Sequence, residues 1–353
     1  MSKGLKSKNL KEKLSLGYSL ARSAHFAAQQ LPLPLFEILA TGQPKDHPIE
    51  LESIKHYYKE LYALLKKDSQ NITQGFYPID VLKPEPWHKH MGRCPQLLMD
   101  SFYFSRRRRD HRAKEFNQEA REYLPETPEY YRRNFHYQND GYLTKKSAEL
   151  YEHQVEVLFT GSADAMRRLI IPMIKSVYPG DGDGLHFLEV GAGTGRLTRF
   201  MKLAYPKARI TVLDLSDPYL KKAQENLAEF HRLDFIQGAA EELPFKSARF
   251  DFVYSCFLFH ELPEDIRREV LAESYRVLKQ GGFFGFVDSV QKQDNKELEW
   301  ALRQFPVDFH EPFYKNYIET NMEDLVLAQD FVGLRKDIGF FSKAVIAQKP
   351  FSA

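Results

Sequence analysis

Glu189-Val190-Gly191-Ala192-Gly193-Thr194-Gly195 closes a short apolar run and opens an amphipathic one. Glycine has no Cβ, so glycines at alternate positions let the main chain turn sharply and approach a ligand closely. A helix starting just beyond them would offer free amides to a carboxylate or phosphate. A dinucleotide site would ask for G-x-G-x-x-G, with its third glycine at position 196. That position is Arg196; the third glycine falls at Gly195, and an acid, Glu189, stands two residues before the first. A pyrophosphate is poorly served by that acid.

Working outward, residues 185–190, 209–213, 233–236, 250–254 and 283–287 are short apolar runs. Helical stretches near 196–204, 217–230 and 264–279 alternate with them. This alternation predicts an α/β fold, a doubly wound parallel sheet with crossover helices. Residues 332–341 and 342–348 read as two strands that add antiparallel at the sheet edge. Upstream the pattern is mainly helical. Leu-Pro-Leu-Pro at 31–34 ends a first helix, residues 49–67 have helical spacing, and prolines 78, 84 and 86 mark 76–95 as a loop. Residues 162–177 read as one helix leading into the first strand.

The chain has 353 residues, a length suited to two domains. Hydrophobic residues are 43% and charged residues 28%, a globular balance. Two cysteines argue against a disulfide framework or a cysteine-rich metal site, and no metal is expected. No run approaches the ~20 apolar residues of a spanning helix, and the N-terminus lacks a secretory pattern. A reducing cytoplasm is the default compartment. A net charge of +2 argues against a nucleic-acid partner. Residues 1–150 carry 25 Lys and Arg against 18 Asp and Glu, whereas 151–353 carry 25 against 30. We therefore divide the chain into a helical N-terminal domain, 1–150, and an α/β domain, 151–353. Residues 1–16 hold Lys3, Lys6, Lys8, Lys11 and Lys13 with leucines between them. They read either as a solvated arm or as a basic helix lying on an anionic membrane.

The glycine segment resembles the E-x-G-x-G-x-G loop of class I S-adenosylmethionine-dependent methyltransferases. Other landmarks agree in order and spacing. Asp214 ends the second strand, Gly238-Ala239-Ala240-Glu241-Glu242-Leu243-Pro244-Phe245 follows the third, Phe250-Asp251-Phe252-Val253-Tyr254-Ser255 forms the fourth, and Leu278-Lys279-Gln280-Gly281-Gly282 precedes the fifth. The resemblance covers about 185–348. It implies a Rossmann-like methyltransferase sheet and S-adenosylmethionine as cofactor. Gly191, Ala192, Gly193, Thr194 and Gly195 would cradle its methionine portion, with Glu189 at the amino end. Asp214 would take the ribose hydroxyls, and Leu215, Ala239, Ala240 and Glu241 would border the adenine. Ser255 and Cys256 would line the methionine side. Ala239 stands where the family has Asp, so the side-chain bond that Asp makes to adenine has no counterpart there.

For catalysis, His260 is the best-placed titratable group, just past the fourth strand; an unperturbed imidazole, near pKa ~6.5, accepts a proton at neutral pH. His310, Tyr314 and Tyr317, between strands five and six, and Tyr142 and Tyr151, in a leading segment suited to a lid, are candidate acceptor contacts. The small-molecule acceptor would offer an O, N or C nucleophile. A cofactor-binding scaffold without turnover and a protein methyltransferase are the alternatives. Oligomeric state is not legible.

Overall fold

The computed structural model describes residues 2–34, 38, 50–84, 87–110, 112 and 114–351. Two compact units emerge: residues 1–165 with 307–310, and residues 166–306 with 311–353. The helix Lys145–Leu158 runs through residue 150, where the charge balance changes, and the first unit continues to Ala165.

The first unit is helical. Helices Ser2–Gln30 and Leu51–Gln74 pack along each other, followed by Trp87–Arg109 and Lys145–Leu158. Arg22 ties the first helix to Glu156 (3.0 Å) and Asp164 (3.4 Å). The helix Trp87–Arg109 begins inside the stretch read as a loop and even carries Pro95. Prolines ahead of a helix are compatible with its first turn, where the missing amide has no partner to lose. Arg106-Arg107-Arg108-Arg109 ends this helix. Arg107 is buried and Arg108 pairs with Asp308 at 3.5 Å.

The second unit holds, among the described residues, a seven-stranded sheet in the order β3-β2-β1-β4-β5-β7-β6. The strands are β1 (His186–Val190), β2 (Arg209–Asp214), β3 (Leu233–Gln237), β4 (Phe250–Cys256), β5 (Leu278–Ser289), β6 (Val332–Gly339) and β7 (Ser342–Gln348). The first five run parallel; β7 pairs antiparallel with both β5 and β6. Helices on both faces bury these strands, which is why their apolar runs are nearly continuous. Phe187, Leu188, Val190, Phe252, Val253, Phe284 and Phe286 have no more than traces of exposure. The crossover between β3 and β4 is made by residues 238–249 without a helix.

A second expectation fails locally. Residues 162–177 form two helices, Ala163–Arg167 and Ile170–Val177, not one. Pro172 explains the break: it cannot donate in a helix interior but fits the first turn of a new one.

Strand order reverses between β1 and β4. In open α/β sheets the ligand crevice opens at the carboxyl ends of the strands beside such a switch. Val190, Asp214, Cys256 and Ser289 mark those ends.

Candidate active site

Three backbone conformations shape the turn after β1. Gly191, Gly193 and Gly195 have φ of 64°, 56° and 77°, the left-handed region that side chains resist. Two of them are also closely approached by leucine side chains. A Cβ on Gly191 would meet Leu258 at 2.9 Å, and one on Gly195 would meet Leu227 at 2.7 Å. At Gly193 a Cβ would meet nothing within 4 Å, so this main chain borders open space. The turn is braced from behind. The Ala192 amide donates to Leu213 O (3.0 Å), Gly195 to Ala192 O (2.9 Å), and Asn226 Nδ2 to Thr194 O (3.0 Å). Helix Arg196–Ala204 starts immediately beyond.

Two buried carboxylates flank the turn. Asp214 Oδ2 accepts from the Gly193 amide at 2.7 Å and Oδ1 from the Ser216 amide at 2.8 Å, locking the turn to the end of β2. Burial raises its pKa, those two amides lower it, and the negative charge of Glu261 raises it again; the outcome is about 6. Glu189, on β1, accepts from the Thr198 hydroxyl. Burial dominates here and pushes its pKa up to about 8, against the lowering effects of Thr198, Tyr254 and Arg167. Neither Glu189 Oε1 nor the hydroxyl of its register partner Tyr254 makes a hydrogen bond of good geometry, although the two act on each other electrostatically. Ser255 Oγ, at the end of β4, is likewise buried without a partner. A buried polar atom left unsatisfied costs about 1–3 kcal/mol and commonly marks where a ligand belongs.

Beside this turn lies a second cluster. Phe257, just past β4, holds φ 56° without being glycine, a strained conformation of the kind that gathers at functional sites. His260 follows in a 3-10 turn and is buried. Its Nδ1 faces Asp288 Oδ1 at 2.6 Å, and Nε2 lies 3.9 Å from Glu261. Asp288, fully buried at the end of β5, also accepts from the Phe259 amide (2.8 Å) and the Ser289 amide (2.7 Å). Burial disfavours the charged imidazole, but Asp288, by charge and hydrogen bond, with Glu261 and Glu311, raises its pKa to about 9. The ring therefore holds its proton at neutral pH, unlike the unperturbed imidazole assumed from the sequence. The rings of Tyr314 and Tyr317 stand edge-on to His260 at 5.8 and 6.1 Å. Their hydroxyls bond Ser289, at Oγ and at the carbonyl, both at 2.6 Å.

Thus the second unit gathers Glu189, the turn of 191–195, Asp214, Ser255, His260, Tyr314 and Tyr317 around the carboxyl ends of its parallel strands. Leu215, Ala239, Ala240 and Glu241 follow β2 and β3, and Cys256 closes β4. Tyr142, Tyr151 and His310 belong to the first unit, where Tyr142 stacks on Phe135 (5.3 Å) and meets the Tyr151 ring edge-on (5.9 Å). Asp288 escaped the sequence reading; its signal was a lone acid ending the apolar run of β5. Arg167, ahead of β1, is buried and acts on Glu189.

Comparisons with known proteins bear on this geometry. Residues 187–282 match the family described as a methyltransferase domain. The chain is 28% identical over 210 residues to a demethylmenaquinone methyltransferase of Thermotoga maritima, covering 56% of this chain and 86% of that one. It is 30% identical over 180 residues to a fatty-acid O-methyltransferase of Mycolicibacterium smegmatis, covering 49% of this chain and 58% of the relative. Among solved structures, a SAM-dependent methyltransferase from Methanosarcina mazei aligns with a TM-score of 0.40 and 19% identity, over 51% of this chain and 98% of that one. No helix among the described residues is long and apolar enough to cross a membrane.

Proposed function

We propose that the chain, through its second unit, acts as a class I S-adenosylmethionine-dependent methyltransferase that methylates a small, largely apolar acceptor by in-line displacement with His260 at the acceptor side; the match of residues 187–282 to a methyltransferase domain supports this. One observation carries the reading. The His260 cluster directly adjoins the glycine turn: Leu258 lies over Gly191, and the charge of Glu261 reaches Asp214.

S-adenosylmethionine, when bound, supplies a methyl group already activated by its sulfonium. The protein's task is to orient and to handle a proton. Positioning of this kind is worth about 7–11 kcal/mol of barrier. The open main chain at Gly193 gives the methionine portion room, and Glu189 offers a carboxylate to its ammonium. Asp214 keeps lone pairs for the ribose hydroxyls after accepting its two amides. Leu215, Ala239, Ala240 and Glu241 would border the adenine, with Ser255 and Cys256 on the methionine side. Asp288 holds His260 Nδ1, so Nε2 is the nitrogen left for an acceptor's hydroxyl or acidic C–H. The substrates for which these relatives are named, a demethylmenaquinone and a fatty acid, support an apolar acceptor.

The buried Glu189 makes a separable prediction. With a pKa of about 8, its carboxyl is protonated at pH 7. A ligand ammonium favours the charged form, so binding releases that proton. Cofactor affinity should rise with pH between about 6 and 8, approaching tenfold per unit. Calorimetric titrations of wild type and Glu189→Gln across that range check it; a Glu189→Gln profile as steep as wild type would remove Glu189 from the cofactor.

The proposal as a whole is tested by an acceptor panel of hydroxylated aromatics, quinols, fatty acids and amines, with S-adenosylhomocysteine release as readout. Release with at least one small acceptor is expected. Cofactor binding with no release from any of them would favour a scaffold without turnover.

A further inference from the structure

Helix Ser2–Gln30 carries its polarity the wrong way round for a helix facing water. Ser15, Ser19 and Ser23 are buried with Phe26 on one face. Two of these hydroxyls donate to carbonyls: Ser15 Oγ to Lys11 O at 2.9 Å within the helix, and Ser23 Oγ to Thr160 O at 2.8 Å beyond it. The outer face presents Leu10 and Leu14, 59% and 62% exposed and one turn apart, continued by Ala21 and Ala24. The helix packed along it exposes Leu51, Ile54, Tyr58 and Tyr62, again at helical spacing, with Tyr58 53% exposed. Large apolar side chains facing outward in series, with serines facing inward, mark a surface built to be covered.

Charge selects the cover. Across these two helices, ten Lys and Arg stand against four Asp and Glu. Exposed Lys13 flanks Leu10 and Leu14, and exposed Lys55, Lys59 and Lys66 run beside Tyr58 and Tyr62. A second copy docked isologously would bring these lysines against their own kind. An anionic bilayer would neutralise them, while lysine stems reach up to headgroups and tyrosines sit at the interface. Helix Ser2–Gln30 is not apolar enough to span, so it would lie on the surface. We infer that this face seats the chain on an anionic lipid surface, independently of which acceptor is methylated.

The test uses the full chain in flotation with vesicles of phosphatidylcholine alone and of phosphatidylcholine mixed with phosphatidylglycerol. Binding to the mixed vesicles only is expected, weakening as salt screens the lysines. The double variant Leu10→Asp/Leu14→Asp should lower that binding at least about tenfold; both side chains are exposed, and unchanged circular dichroism would verify the fold. Equal binding to both compositions, no binding to either, or full binding by the double variant overturns the inference. So does a dimer in size exclusion that the double variant dissociates, since the face would then serve a second copy.

Discussion

Gly193→Trp is expected to weaken S-adenosylmethionine binding by at least about a hundredfold, or ~2.7 kcal/mol, and to abolish turnover at ordinary cofactor concentrations. The effect is steric and local. Gly193 alone among the three glycines faces open space, with no atom within 4 Å of a built Cβ. An indole there enters the volume where the cofactor's methionine portion would lie. Substitution also forces a side chain onto φ 56°, a strain of about 1–2 kcal/mol. Gly193→Ala separates the two effects. It carries nearly the same backbone strain with little bulk, so it should bind within about tenfold of wild type. Gly191→Ala is a poorer control, because its methyl would drive Leu258 from the turn. Isothermal titration of the three proteins, with thermal melts to confirm folding, checks the ordering.

The second large effect concerns the His260–Asp288 pair. His260→Ala should reduce kcat by about 10²–10⁴, the range for loss of a positioned acid or base. Asp288→Asn supplies the more telling readout. In wild type the ring sheds its proton only near pH 9, so kcat should climb with pH and level off around there. Burial lowers the imidazole's pKa; Asp288 is the main group raising it. Replacing that charge with a neutral amide moves the plateau to lower pH and also cuts its height, because the Phe259 and Nδ1 anchors are weakened. A purely structural Asp288 would cut the height and leave the plateau where it was. The pair also bears on stability. The folded pKa lies above the unfolded ~6.5, so its contribution is fully present below that value and is lost as pH rises through about 9. Thermal melts of wild type should fall over that window more steeply than those of His260→Ala.

Some of this was legible in residue order and some was not, for physical reasons. Apolar runs buried on both faces announce parallel strands, so the cores of β1 to β5 read directly. The pairing of β7 between β5 and β6 depends on contacts between distant segments; sequence showed two edge strands but not which lay inside. The glycine turn read well because positive φ at a close approach demands glycine. Asp288 did not: an acid ending a strand is ordinary until the fold sets it 2.6 Å from a histidine 28 residues earlier. The raised pKa of His260 was invisible for the same reason, since its causes, Asp288, Glu261 and Glu311, converge only in the folded chain. The split of 162–177 into two helices is legible in Pro172, which fits a first turn but not a helix interior.

The most direct test of the cofactor cradle is a crystal structure of the chain with S-adenosylhomocysteine. Its ribose hydroxyls are expected on Asp214, its amino group facing Glu189, and its chain running over Gly193. Density for the nucleoside elsewhere, or the crevice beside residues 191–195 closed by protein side chains, would contradict it.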